Sequence, residues 1–295
     1  MTLFTLQNER FRLLVSDQGG TIEGLWWHQD GKQTPLLRPG KQSGVAVESS
    51  CFPLVPFGNR VSGNAFSFEG HNYRLQPNVE WDSHYLHGDG WLNIWQLVTE
   101  APDRLVLEYQ HSAGPYRYTA QQTFQLSEVS LDVALTVIND GEATLPFGLG
   151  WHPYFPLTAQ TRIQARATGY WLEREQWLAG EFQQQLPEAL DFNQPNEPPR
   201  RWVNNAFTGW DGKARIAYPQ AEVTLLMETD PPAPCYFVFV SDPQFDEGYD
   251  FDFFCLEPMS HAPDDHHRTG GGLLARLAKG ETLSQSMRLS VATER

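Results

Sequence analysis

Residues 249–265 of this 295-residue chain carry an aromatic, apolar run, Phe251, Phe253, Phe254, Cys255 and Leu256, that ends on a single acid, Glu257. A carboxylate at the mouth of such a run is expected to sit half out of water, which raises its pKa towards that of a useful proton acceptor. Pro258 follows at once. Its missing N–H and fixed φ predict that the strand stops there. Residues 146–156 supply the complementary group, His152, held between Trp151 and Pro153 in an almost wholly apolar segment. Alone, His152 reads either as a hydrogen-bonded core residue or as a pocket acid. With Glu257 it completes an acid/base pair whose pKa values straddle neutrality.

Two further stretches offer groups that hold a ligand rather than react with it. Residues 51–60 end an apolar run on Asn59 and Arg60, an amide and a planar fork of donors suited to neutral hydroxyls or to orienting a carboxylate. A structural ion pair is the competing reading of Arg60. Residues 81–91 set His84 and His87 among Trp81, Tyr85 and Trp91, beside the turn formers Gly88 and Gly90. His84, His87, His152 and Glu257 could imitate the ligand set of a metal-dependent isomerase. On a strand, however, His84 and His87 point to opposite faces, so no metal is expected. His266 and His267, next to Asp264 and Asp265, are expected to be solvated in a polar loop.

The elements that must position these groups read as strands. Runs of β-branched and aromatic residues, each followed by a turn signal, recur at residues 12–15, 21–27, 65–68 and 130–138. Residues 105–109, 116–126, 214–218, 223–227, 236–240 and 287–291 read the same way, and alternating polarity predicts half-buried strands. Residues 173–186 and 273–277 are modest helical candidates. So few helices between so many strands disfavour crossover units and predict an all-β fold of antiparallel sheets packed face to face. Residues 194–201 are polar and proline-rich, but candidate site residues lie on both sides of them, so residues 1–295 read as one domain.

Composition bounds the partners. The chain is 40% hydrophobic and 13% aromatic, enough to bury a large core, and carries a formal charge of −15. Such a surface repels phosphate backbones and anionic membranes, which leaves a small neutral molecule as the expected partner rather than nucleic acid or lipid. Cys51, Cys235 and Cys255 are an odd, scattered set among apolar neighbours, which suits reduced thiols. The absence of a secretory or membrane-spanning pattern places the expected location in the cytoplasm. Nothing in the pattern decides between a monomer and a homodimer.

Asn59-Arg60, Leu86-His87-Gly88, residues 150–155 and Leu256-Glu257-Pro258 together resemble, in identity and in order, the aldose 1-epimerases or galactose mutarotases. The resemblance runs over nearly the whole chain and looks closest to a bacterial branch of uncertain substrate. It implies a large antiparallel β-sandwich, the galactose mutarotase-like supersandwich, with interconversion of sugar anomers and no cofactor. By position, the resemblance makes Glu257 the general base and His152 the general acid. It likewise makes His87 a second histidine near the ring oxygen and Arg60 a hydroxyl anchor. One position departs: Asn204 stands where the family usually has aspartate, so sugar preference is open and Asp211 is a candidate substitute. Trp91, Trp151, Tyr154 and Phe253 are the expected apolar walls.

Rival readings remain. A glycoside hydrolase calls for two opposed carboxylates, whereas these motifs offer one. A sugar-phosphate epimerase would want clustered cations, and only Arg60 falls within the motifs. A non-catalytic sugar-binding module would need the aromatics and Arg60, but not a buried Glu and His together.

Overall fold

Alternation of buried and exposed side chains, as along Tyr118–Leu126 where every second residue is buried, lets a strand face a core on one side and solvent on the other. The computed structural model of the chain describes residues 1–292. Every stretch expected to be a strand falls on one. The strands form two large antiparallel sheets. An eight-stranded sheet runs in the order Arg162–Ala165, Lys213–Tyr218, Val223–Asp230, Thr282–Ala292, Ser130–Asn139, Tyr118–Leu126, Arg104–His111 and Gln96–Ala101. The main path of an eleven-stranded sheet is Leu3–Gln7, Phe11–Ser16, Ile22–Gln29, Cys51–Leu54, Gly150–Pro156, Phe253–Met259, Cys235–Val240, Val203–Thr208, Gly169–Arg174 and Leu178–Gln183. Buried side chains from both sheets merge into one apolar core.

The middle of the larger sheet is covered on both faces, which is why its strands read as continuous apolar runs rather than alternating ones. Along Cys235–Val240, Tyr236 points towards the smaller sheet and donates its hydroxyl to the Ala165 carbonyl 3.3 Å away. Its neighbours Phe237 and Phe239 turn to the opposite face, which lines a cavity. All seven residues of Phe253–Met259 are buried.

Three local expectations are corrected. The strand does not stop at Pro258, which sits inside Phe253–Met259 opposite Tyr236. On its other side the sheet pairs Gly150 with Met259 and Tyr154 with Cys255 but leaves the residues between unpaired, so the missing N–H of Pro258 breaks no bond there. Residues 173–186 form no α-helix: apart from the 3₁₀ turn Glu175–Trp177, Gly169–Arg174 and Leu178–Gln183 make an edge hairpin whose mutual pairing outweighs weak helical propensity. Residues 273–277 likewise yield the short strand Ala275–Leu277, paired with Leu145–Phe147. Among the described residues the only helical elements are three-residue 3₁₀ turns, and no helix is long and apolar enough to cross a membrane.

Candidate active site

Register brings the two proton-carrying groups together. Gly150 opposite Met259 and Tyr154 opposite Cys255 set His152 level with Glu257 on adjacent strands. Phe52 pairs with His152 on one side, and Phe237 pairs with Glu257 on the other. A row Phe52, His152, Glu257, Phe237 therefore crosses four strands on one face, at the floor of a cavity of about 750 Å³. The His152 Nε2 lies 3.3 Å from Glu257 Oε1, just beyond a hydrogen-bond reach of about 3.2 Å, a gap of the kind that tightens when a ligand binds. Phe52 stacks on the imidazole at 4.5 Å and 20°. Oε2 of Glu257 is buried without a hydrogen-bond partner among the described residues, which leaves it for a ligand.

Burial sets the protonation of both groups. Glu257 is 2% exposed rather than half out of water, because it lies inside a wholly buried strand between His152 and Phe237. Loss of hydration pushes its pKa well above the ordinary carboxylate value, with the Arg60 charge opposing. Loss of hydration also pushes His152 well below the ordinary histidine value. Both groups are driven towards their uncharged forms, so the pair holds one transferable proton between them.

A second layer fixes the donors around the pair. His87 and Asn59 interlock: the Asn59 N–H donates to His87 Nδ1 at 3.0 Å, and the His87 N–H donates to the Asn59 carbonyl at 3.0 Å. With Nδ1 accepting, and with burial driving the ring to its neutral form, the ring proton of His87 resides on Nε2, a donor for the cavity. Both residues take left-handed backbone, φ 62° and 60°, a strained pairing of the kind held at functional sites. Gly88 follows with φ 68°, and a side chain there would meet the Val55 carbonyl at 2.0 Å. Behind this loop, His261 Nε2 accepts from the Gly58 N–H at 2.9 Å.

Arg60 is held by an acid. Its Nε and Nη2 lie 2.8 and 2.7 Å from Oδ2 of Asp82, whose side chain is fully buried. Nη1 of Arg60 and Nδ2 of Asn204 both lie 3.5 Å from the Trp177 carbonyl, so the hairpin turn gathers the two groups at one edge of the cavity. Across the cavity, Arg38 stacks over Tyr154 and Phe253, 3.9 and 4.3 Å from their ring centres, and donates to the Val47 and Ser49 carbonyls. Two cation–aromatic contacts and two carbonyl acceptors fix its guanidinium in place.

A model of the aldose 1-epimerase family matches residues 2–290. The chain belongs to the aldose 1-epimerase family. The uncharacterised protein YphB of Escherichia coli K12 is 64% identical over 291 residues, 99% of each chain. The crystal structure of a candidate aldose 1-epimerase from the same strain is 63% identical, covers 99% of each chain and superimposes with a TM-score of 0.97. The galactose 1-epimerase of Lactobacillus acidophilus NCFM is 15% identical, covers 99% of this chain and 95% of its own, and has a TM-score of 0.78, a likeness of fold.

In this family member the cavity gathers Glu257, His152, His87, Asn59, Arg60, Asn204 and Tyr154, with Trp91 and Phe253 as walls. Two expected contributors lie elsewhere. Trp151 is buried on the opposite face of its strand, because alternation sends His152 and Tyr154 one way and Trp151 the other. Asp211 is exposed and accepts from the Lys213 N–H in a turn, outside the cavity lining. His84 is not on a strand and does not line the cavity; it packs beside Asp82. His266 is not solvated but buried, with Nε2 3.2 Å from the Tyr116 hydroxyl. No cluster of three or more His, Cys, Asp or Glu side chains among the described residues is set to hold a metal ion.

Sequence reasoning missed Arg38, Asp82 and Trp177. Arg38 carried the signal that marked Arg60, an apolar run, Leu36 and Leu37, ending on a guanidinium. Asp82 and Trp177 carried none, since each matters through a partner distant in sequence.

Proposed function

We propose that the chain is an aldose 1-epimerase, interconverting the α and β anomers of a free neutral aldose, with Glu257 as base and His152 as acid. The observation that carries this is the buried His152 Nε2–Glu257 Oε1 contact of 3.3 Å on the floor of a cavity ringed by hydroxyl-binding groups. A bound sugar presents hydroxyls to Arg60, Asn59, Asn204 and the His87 Nε2–H. Hydrogen bonds from the sugar to Glu257 favour its carboxylate form, which moves the shared proton onto His152, while the Arg60 charge opposes protonation of both groups.

Ring opening conserves that proton. Carboxylate Glu257 takes the proton of the C1 hydroxyl, imidazolium His152 gives its proton to the ring oxygen, and the bond between C1 and the ring oxygen breaks. The products are an open-chain aldehyde and the uncharged pair, which burial favours. Rotation about the C1–C2 bond presents the other carbonyl face, and the reverse transfers close the ring as the other anomer.

A neutral substrate fits the charges in the cavity. Lys41 is engaged by Glu48 at 3.0 Å and Arg60 by Asp82, while Asp246, Glu247 and Asp252 add negative charge. Among the described residues that line the cavity, Arg38 alone is a cation without an acid partner, and one guanidinium committed to two carbonyls makes no cluster for a phosphate. The test is a panel of freshly dissolved aldose anomers, with hexose phosphates alongside, followed by NMR exchange or polarimetry. Exchange is expected with at least one neutral aldose, and with kcat/KM above that of its phosphate. Binding of sugars without exchange would favour a non-catalytic module.

The pH profile follows from the shared proton. The inactive acid form has His152 and Glu257 both protonated, and burial depresses the histidine. The acid limb of kcat/KM should therefore lie below the ordinary histidine value of about 6.5. An acid limb at or above that value would contradict the one-proton pair.

A further inference from the structure

We propose that the cavity contains a second sugar subsite, an aromatic shelf of Phe239 and Phe245 backed by Trp177 and Trp202, so that the substrate is a reducing aldose carrying another neutral ring. This inference rests on the anomer-exchange reading of the Glu257 and His152 centre.

Size is the first observation. A single hexose fills roughly 200 Å³ at the packing density of organic solids, whereas the cavity measures about 750 Å³. The catalytic floor and its polar ring suffice for one sugar, and the remaining space extends to a rim of aromatics. The second observation is how those aromatics are held. Phe245 is 43% exposed and lines the cavity, yet it does not collapse onto the core. Its ring makes edge or tilted contacts with Trp177 at 5.4 Å, Trp202 at 5.0 Å and Phe239 at 6.2 Å. Its backbone is pinned by Asp242, whose side chain accepts from the N–H groups of Gln244 and Phe245 at 2.9 and 3.0 Å. Glu173 fixes the Trp202 indole N–H at 2.8 Å. Trp177 takes φ 58°, unusual for a bulky residue, and its carbonyl reaches Arg60 and Asn204.

A wet aromatic surface kept open by polar struts suits the C–H face of a pyranose, which is apolar over its ring and polar at its edge. The shelf adjoins Arg60 and Asn204, so its occupant is continuous with the sugar held there. Charge selects the class of occupant. Asp246 and Glu247 border Phe245 and line the cavity, so an anionic group is disfavoured and a neutral ring fits.

The experiment compares glucose with maltose, cellobiose and lactose, which share it as their reducing end. Affinity for the Glu257→Gln protein and exchange kcat/KM for the parent are both measured. At least one disaccharide should exceed glucose by about tenfold, the scale of one aromatic contact. Phe245→Ser should erase most of that ratio, and Phe239→Leu, at the other ring that lines the cavity, should do so independently should the serine variant not fold. The inference is overturned if no disaccharide exceeds glucose in either measurement, or if the ratio survives both substitutions. A disaccharide binding advantage without anomer exchange would retain the shelf and reject the catalytic reading.

Discussion

Glu257→Gln is expected to fold, bind an aldose within a few-fold of the parent and exchange its anomers about 10²- to 10⁴-fold more slowly, the usual contribution of a positioned proton-transfer group. The amide keeps the size of the carboxyl and can still bond His152 Nε2, but it cannot accept the C1 hydroxyl proton. Folding should not suffer, because the wild-type group is an acid buried at 2% exposure with one oxygen unpartnered, an arrangement that costs stability. An unchanged or raised melting temperature beside lost exchange separates a chemical role from a structural one. His152→Asn should lose a similar factor. The two groups pass one proton between them, so the double variant should be little slower than the worse single variant. Losses that multiply would assign independent roles. A folded Glu257→Gln protein exchanging anomers at the parental rate would remove the proposed mechanism altogether.

What was legible in the sequence divides along physical lines. Strands were readable because period-two polarity and turn residues are local signals, as at Tyr118–Leu126. The chemistry-bearing residues were readable because each interrupts an apolar run: Glu257 after Leu256, His152 after Trp151, Arg60 after residues 51–58. Facing was harder. Trp151 and His152 share one motif, yet only the second reaches the cavity, and in a strand buried on both faces no polarity pattern tells the two sides apart. Pro258 misled for a related reason: whether a missing N–H matters depends on the neighbouring strand, and the pairing gap beside Glu257 is a property of the sheet. The hairpin at Gly169–Arg174 and Leu178–Gln183 misled because tertiary pairing decided between two weak local preferences.

The sequence offered a structural ion pair as one reading of Arg60 but not its partner, Asp82, and that pair carries the second large effect. Asp82→Ala should lower stability by about 3–5 kcal/mol, since it strands a guanidinium whose side chain is only 9% exposed. It also removes the Oδ1 acceptor of the His84 N–H, at 2.8 Å. Free to swing, Arg60 should hold sugar hydroxyls less well, so KM should rise along with any fall in kcat. Replacing both charges, Arg60→Met with Asp82→Ala, should recover most of the lost stability, because a buried pair removed together leaves no unpaired charge. It should not recover sugar affinity, because the anchor is gone. Denaturant midpoints and KM values for the two single variants and the double variant separate these contributions. An Asp82→Ala protein within about 0.5 kcal/mol of the parent, with KM unchanged, would mean that the pair behaves as a solvated surface bridge and that Arg60 needs no acid to position it.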